Sequence, residues 1–352
     1  MSAGGKGQAV TILALMVGVA IYFLGPESLP FSVVSMAVGL VIVIMVGEPM
    51  VEGLKELGRH TGISDHIIGI MSSVASNLPE AVMTLFMIAS PHLREVAILT
   101  VLLASAFNGL LLGVLVVMVT YRGGVVEIPK KALEHDVELM RVTIAFCMIV
   151  FGTGVIMGIS GSDGGQVLPW EVPFFQLVSY AGYLYFLGRG PKMQRGEEHA
   201  SEGNRSWATP IALGLVGTVV AAQLISGSAE FLVHMFDLHV VIAATVIGFA
   251  GSVPEHGLAI LGARRGHVEL GVSNLLSGIV QSVMLIFPVI ALLVPVPLDG
   301  YVLYQFLAIA VTLWIVKKSI VDDGRLTIDE GVSIVVIHVL GVLLFDELSL
   351  LI

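Results

Sequence analysis

The chain is poor in cysteine and in charge. Its 352 residues include a single cysteine, Cys147, so it can form neither a disulfide framework nor a thiolate metal cluster. Only 12% of the residues are charged and 56% are hydrophobic, and the mean hydropathy is +0.95. This balance excludes an ordinary soluble domain and predicts a polytopic membrane protein embedded in a lipid bilayer. The net charge of -10 is spread thinly, which indicates solvated loops and no nucleic-acid partner.

Signatures of catalysis are also missing. The sequence has no Gly-x-Ser-x-Gly elbow, no phosphate-cradling loop, no paired intramembrane aspartates and no His-Glu-x-x-His motif. We therefore predict that the protein is not an enzyme and carries no cofactor.

Long apolar runs are what the sequence has in abundance. Runs of about 17–25 residues, long enough to cross a bilayer as a helix, occur eleven times. The sequence thus predicts an all-α polytopic membrane protein of about 11 transmembrane helices, the first of them a retained helix rather than a signal peptide. The runs lie near 8–24, 31–57, 65–90, 95–121, 138–159, 171–188, 208–236, 239–263, 268–294, 300–320 and 330–350.

The positive charges orient these spans. With the N-terminus in the cytoplasm, every Lys and Arg except Arg94 falls on the cytoplasmic side. Such a bias is typical of cytoplasmic loops, and it predicts a C-terminus on the outside, with the protein in the cell (inner) membrane. The longest polar interruption indicates a flexible cytoplasmic linker at 189–207.

Two similar motifs interrupt the apolar runs. Ser76-Asn77-Leu78-Pro79-Glu80 lies in the third span and Gly251-Ser252-Val253-Pro254-Glu255-His256 in the eighth. A carboxylate at that depth is costly and is normally functional, and a proline there releases backbone carbonyls that a cation can satisfy. The motifs predict two broken helices that form the halves of one ion site. The competing interpretation is a pair of structural kinks.

The two motif spans run in opposite directions. Five spans separate them, an odd number, so the chain is expected to consist of inverted repeats with broken helices at the midplane, as in alternating-access transporters. The predicted divisions are an N-terminal helix at 1–30, a first five-helix repeat at 31–188, the linker, and a second five-helix repeat at 208–352.

Neutral oxygen ligands accompany the two glutamates. Ca2+ takes 6–8 oxygen ligands, and two carboxylates supply at most four. Amides and hydroxyls one turn before each glutamate, or in the helices expected to face the broken ones, are the candidates for the remainder. The predicted ion-binding residues are Glu80 and Glu255, which hold the metal, with Ser76, Asn77, Ser252, Asn108 and Gln281.

A second pair of glutamates lies nearer the membrane surfaces. Glu52 is close to the inner end of the second span and Glu230 is close to the outer end of the seventh. They are candidates for proton transfer or gating, and the alternative is that they are interfacial acids. His338 in the last span is interpreted as a satisfied packing residue.

These motifs resemble those of the cation/Ca2+ antiporter superfamily, whose two inverted repeats each carry a glutamate motif. They look most similar to the cation/proton exchanger branch. The similarity covers roughly 45–290 and rests on both glutamate motifs, Ala104-Ser105-Ala106-Phe107-Asn108, Ser228-Ala229-Glu230-Phe231-Leu232-Val233, Leu276-Ser277-Gly278-Ile279-Val280-Gln281 and Phe287-Pro288. The chain departs from the pattern at Ser76, at Ser252 and at Ser277-Gly278, and Asn108 falls one position later than the pattern has it. These departures bear on ion selectivity rather than on the fold.

The resemblance implies exchange of Ca2+ for protons. Relatives that use Na+ typically add a carboxylate after the second motif, where this chain has Gln281 and Ser282. Two carboxylates can neutralise one divalent ion, or carry protons when the site is empty. Exchange with Na+, exchange of Mn2+ or another divalent ion, and a cation channel that uses the same site stay open as alternatives. The sequence leaves the oligomeric state undetermined.

Overall fold

Helices make up almost all of the described structure. The computed structural model describes residues 3–25, 28–61, 71, 74–128, 134–160, 166–188, 207–252, 259–260 and 268–349. The helices are α1 (Ala3–Leu24), α2 (Leu29–Thr61), α3 (Leu78–Ala89), α4 (Arg94–Gly123), α5 (Glu134–Ile159), α6 (Glu171–Gly188), α7 (Ala208–Phe236), α8 (Val240–Gly251), α9 (Val268–Gln281), α10 (Phe287–Leu293), α11 (Gly300–Asp322), α12 (Ile328–Leu343) and α13 (Phe345–Ser349). A 3-10 turn, Pro91–Leu93, precedes α4, and a π turn, Ser282–Ile286, joins α9 to α10.

The apolar helices confirm the polytopic architecture. Six of the described helical segments are long and apolar enough to cross a membrane, and three shorter ones are also apolar. Each of the eleven predicted spans falls on at least one helix of the described chain, although the number of membrane crossings stays a prediction. The six long segments are Leu29–Gly58, Pro91–Tyr121, Val137–Ile159, Ala208–Phe236, Gly271–Leu293 and Gly300–Asp322.

The helices cluster into two compact units, and each unit draws on both halves of the sequence. The first unit comprises Met1–Leu93 and Val178–Ala243, and the second comprises Arg94–Leu177 and Ala244–Ile352. The compact units and the predicted sequence repeats are therefore two different divisions of the chain.

In the first unit, α2 and α7 pack closely in antiparallel directions. Ser32 Oγ donates to the Ser228 carbonyl at 3.2 Å near one end of the pair. Near the other end, a Cβ added to Gly53 would lie 3.0 Å from the Trp207 carbonyl oxygen. Glycine thus lets the two backbones approach, as is common where small residues drive helix association in lipid. An antiparallel pair is the arrangement expected of the corresponding helices of inverted repeats.

In the second unit, α4 packs against α9, α11 and α12, and α11 packs against α5. Leu168 N–H donates to the Val296 carbonyl at 2.9 Å and Leu298 N–H donates to the Gln166 carbonyl at 2.8 Å. These bonds tie the start of α6 to the connection between α10 and α11. Asp299 caps α11 by accepting from Val302 N–H at 2.7 Å. Burial raises the pKa of this carboxyl above its ordinary value, while backbone N–H groups oppose the rise.

A short two-stranded sheet is an addition to the predicted all-α fold. Strand β1 (Val125–Glu127) pairs antiparallel with β2 (Arg325–Thr327), and Val126 lies opposite Leu326. Arg325 Nη2 lies 3.2 Å from Glu127 Oε1, and both side chains are exposed. Gly124 and Gly324 precede the strands with φ of +76° and +70°, a conformation that glycine adopts without strain. The sheet fastens two loops of the second unit that are distant in sequence, with Val125 pairing with Thr327, 202 residues later.

Candidate ion-binding site

The predicted break in the third span is present in the first unit. Residues 74–76 are helical, Asn77 forms a turn, and α3 begins at Leu78 with Pro79 in its first positions. Proline is tolerated there because its missing N–H would have no intrahelical acceptor. Asn77 keeps a right-handed helical conformation, with φ -87° and ψ -3°, and Ala81 N–H donates to its carbonyl at 3.1 Å, so the interruption is a single residue long.

The polar residues around this break are buried. Glu80 is 1% exposed, and Ser76 and Asn77 are 6% and 3% exposed. The Thr84 hydroxyl donates to the Glu80 backbone carbonyl at 2.7 Å, one turn further along α3. A carboxylate buried this deeply in a membrane span is costly unless a cation, a proton or polar groups compensate it. The first predicted half-site is therefore assembled on one short segment.

Glu230 lies at the far end of α3 from Glu80. Ser90, which caps α3, donates its hydroxyl to Glu230 Oε1 at 2.7 Å. One turn later on α7, the His234 ring meets the His92 ring with centroids 5.0 Å apart. Ten residues separate Glu80 from Ser90, about 15 Å along a helix. Glu230 thus fastens the end of the broken helix to α7, and its distance argues against direct contact with an ion at Glu80.

Glu52 is exposed, and it lies at the opposite end of the α2–α7 pair from Glu230. The contact between Ser32 and Ser228 and the contact between Gly53 and Trp207 are roughly 30 Å apart along α2. The two glutamates therefore belong to opposite ends of this helix pair rather than to a single site. Their roles in proton transfer or gating stay predictions.

The second half-site is described only in part. Helix α8 ends at Gly251, and Ser252 is fully buried with its hydroxyl donating to the Gly248 carbonyl at 2.9 Å. A Cβ added to Gly248 would lie 3.0 Å from the Thr100 carbonyl oxygen, so α8 runs close to α4. Pro254, Glu255 and His256 lie outside the described residues.

Asn108 is a buried amide of the second unit. It is fully buried on α4, and neither its Oδ1 nor its Nδ2 has a hydrogen-bond partner in the described part of the chain. A Cβ added to Gly278 would lie 2.7 Å from Asn108 Nδ2, so glycine on α9 creates the room for this amide. Leaving a buried amide without partners costs roughly 1–3 kcal/mol. Its oxygen is a hard ligand of the kind that Ca2+ prefers.

Gln281 is the last residue of α9 and is 3% exposed. Its Nε2 lies 3.3 Å from the Ser277 hydroxyl, one turn earlier. The π turn begins at the next residue, Ser282, which is fully buried. Single π turns inside α-helices frequently mark functional sites, and this one was not predicted. Pro288 is a signal that the helix is irregular nearby, but it does not specify a π turn.

His338 is a buried packing residue as expected, but it is only half satisfied, because its Nδ1 has no hydrogen-bond partner among the described residues. Its Nε2 lies 3.0 Å from the Thr312 hydroxyl, and its ring occupies the space over Gly109, the residue after Asn108. Within the described residues, no group of three His, Cys, Asp or Glu side chains is placed to hold a metal. The predicted site requires two carboxylates, and one of them, Glu255, is not among those residues.

Comparison with known proteins identifies the family. The profile described as "Sodium/calcium exchanger protein" matches residues 31–189 and 207–345. The chain belongs to this family. This is a family of exchanger-type antiporters, so the protein is an integral membrane transporter.

Individual relatives support the same fold. The chain is 26% identical over 275 residues to the inner membrane protein YrbG of Escherichia coli (strain K12). The matched region covers 74% of this chain and 80% of YrbG. The structure of the H+/Ca2+ exchanger CAX is similar with a TM-score of 0.66 and 14% identity, over 96% of this chain and 89% of CAX. The sodium-calcium exchanger NCX_Mj is similar with a TM-score of 0.61 and 17% identity, over 94% of this chain and 98% of NCX_Mj.

Proposed function

We propose that the protein is a secondary-active antiporter that exchanges Ca2+ for protons by alternating access. Glu80 and Glu255 provide the charge that neutralises the divalent ion, and Ser76, Asn77, Ser252, Asn108 and Gln281 provide neutral oxygens. Ca2+ is the transported substrate, and H+ is the counter-ion.

The observation that carries the proposal is the burial of Glu80. The Glu80 side chain is 1% exposed and lies on a proline-broken helix within an apolar span. A carboxylate buried in a membrane is energetically costly, and such residues usually have a function. The second motif repeats this Pro-Glu pair at Pro254 and Glu255 in an inverted span. Membership of the sodium/calcium exchanger family supports Ca2+ as the substrate.

Protons are favoured as the counter-ion by the side chains after the second motif. At the position where Na+-exchanging relatives typically have a further carboxylate, this chain has Gln281 and Ser282, and both are buried. With two carboxylates, the site holds one divalent cation when ionised and two protons when empty, so both states are close to neutral. Charge balance therefore supports exchange without Na+.

We further propose that the protein lies in the inner membrane, with the N-terminus in the cytoplasm and the C-terminus outside. The asymmetry of Lys and Arg supports the orientation. The relative YrbG, an inner membrane protein, supports the location.

Transport by purified protein in proteoliposomes tests the proposal. An outward proton gradient, with no Na+ present, should drive uptake of Ca2+. Uptake that needs a Na+ gradient would establish Na+/Ca2+ exchange instead. Ca2+ flux that needs neither gradient and collapses any imposed Ca2+ gradient would establish a channel. Mn2+ in place of Ca2+ measures divalent selectivity in the same assay.

A further inference from the structure

We infer that Gln176 is a positioning residue for the ion site, because its side chain stabilises the π turn directly after Gln281. The inference rests on the proposed function, since Gln281 is one of the proposed ligands. Gln176 lies on α6, 107 residues from the carbonyl that it contacts, and no motif in the sequence draws attention to it.

The π turn leaves one backbone carbonyl without its regular donor. Phe287 N–H donates to the Ser282 carbonyl, five residues earlier. The next donor in this series would be the N–H of residue 288, directed at the Val283 carbonyl. Residue 288 is proline, which has no N–H. Val283 is fully buried, so water in the bilayer core cannot replace the missing donor.

Gln176 supplies that donor. Its Nε2 lies 2.8 Å from the Val283 carbonyl oxygen, and the side chain is fully buried. The same nitrogen lies 3.9 Å from Met284 Sδ, a much weaker contact. Two backbone hydrogen bonds, from Leu168 N–H to the Val296 carbonyl and from Leu298 N–H to the Gln166 carbonyl, tie the residues before α6 to those after α10. The amide thus compensates the carbonyl that the π turn and Pro288 together expose.

The π turn sets the orientation of Gln281 relative to the rest of the helix. On its N-terminal side, Gly278 is fixed against Asn108; on its C-terminal side, the Phe287 ring meets the Phe306 ring with centroids 4.9 Å apart. One residue corresponds to about 100° of rotation in an α-helix. If the turn closed into regular α-helix, both contacts could not be kept with Gln281 in its present orientation.

The helix that carries Asn108 in the first repeat lacks this device. Helix α4, which carries Asn108 at the corresponding place of the first repeat, is a continuous α-helix from Arg94 to Gly123 and contains no proline. The two helices therefore differ in backbone conformation. The helix that carries Gln281 contains a π turn stabilised by a side chain of another helix, and the helix that carries Asn108 is regular.

Gln176→Leu tests the inference because leucine has a similar size and no donor. In proteoliposomes we expect the Ca2+ concentration for half-maximal transport to rise about tenfold, equivalent to 1.4 kcal/mol, with a smaller change in maximal rate. Pro288→Ala restores an N–H that can reach the Val283 carbonyl. The double variant Gln176→Leu/Pro288→Ala should therefore return to within about twofold of the wild type. Gln305→Leu, which removes another buried amide of the same unit, is the control and should not be rescued by Pro288→Ala.

Thermal unfolding of the same purified variants separates this inference from the proposed function. Gln176→Leu should unfold at a lower temperature, and the double variant should regain the loss, whatever ion is transported. Rescue of stability without any Ca2+ transport by the wild type would support the capping role and contradict the proposed substrate. A Gln176→Leu variant with unchanged Ca2+ dependence, or a double variant as impaired as the single one, would overturn the inference.

Discussion

Replacing Glu80 with glutamine is the sharpest perturbation of the proposed site. The amide keeps the size of the side chain and removes its charge, so a bound divalent cation keeps only one carboxylate partner. Glu80 is 1% exposed, and solvent therefore cannot screen the uncompensated charge. Removing one member of a buried charge pair costs roughly 3–5 kcal/mol. At about 1.4 kcal/mol for each factor of ten, apparent Ca2+ affinity should fall at least 100-fold.

The assay is Ca2+ uptake into proteoliposomes under an imposed pH gradient, with protein folding checked by size-exclusion chromatography in detergent. Glu127→Gln is the matched control, because Glu127 lies on β1 with its side chain 78% exposed. The control should transport like the wild type, since exposed ion pairs contribute little. Glu80→Asp keeps the charge and should retain part of the activity. Flux near the wild-type level in a folded Glu80→Gln protein would remove Glu80 from the site and refute the charge argument.

Three further predictions address coupling and packing. Glu230→Gln should change the pH dependence of exchange more than the Ca2+ affinity. Ser90→Ala, which removes the hydroxyl that donates to Glu230, should shift the pH dependence in the same direction. A changed Ca2+ affinity with an unaltered pH profile would indicate that Glu230 coordinates the ion directly. Binding of a divalent cation to the detergent-solubilised protein should release protons, which a pH indicator in weak buffer measures. The affinity for the divalent cation should fall as the pH is lowered, because protons compete for the same carboxylates. The absence of proton release would favour Na+ coupling. Gly278→Ala should weaken Ca2+ affinity, because the added Cβ would lie 2.7 Å from Asn108 Nδ2. Gly152→Ala is the control and should leave the affinity unchanged, because nothing lies within 4 Å of its added Cβ. Equal transport by the two variants would argue against a role for the Asn108 amide.

The sequence by itself determined the membrane architecture. The apolar runs predict where α2, α4, α5, α7 and α11 begin and end to within a few residues, because crossing the bilayer needs a fixed length of apolar helix. The break at Pro79 was also predictable, since proline cannot continue the hydrogen bonding of the preceding turn. The burial of Glu80 followed from its place in the apolar run, and its counterpart Glu255 stays a prediction from the duplicated motif.

Tertiary structure decided the features that depend on residues distant in sequence. Whether Glu230 faces an ion or a helix end is set by Ser90, 140 residues away. The three-residue strands β1 and β2 form only where two loops distant in sequence meet, because a strand needs a partner. The π turn after Gln281 needs a donor from Gln176, which no local pattern announces. Local sequence fixes which segments enter the membrane through their own hydrophobicity, whereas the partner of a buried polar group is chosen by packing between helices.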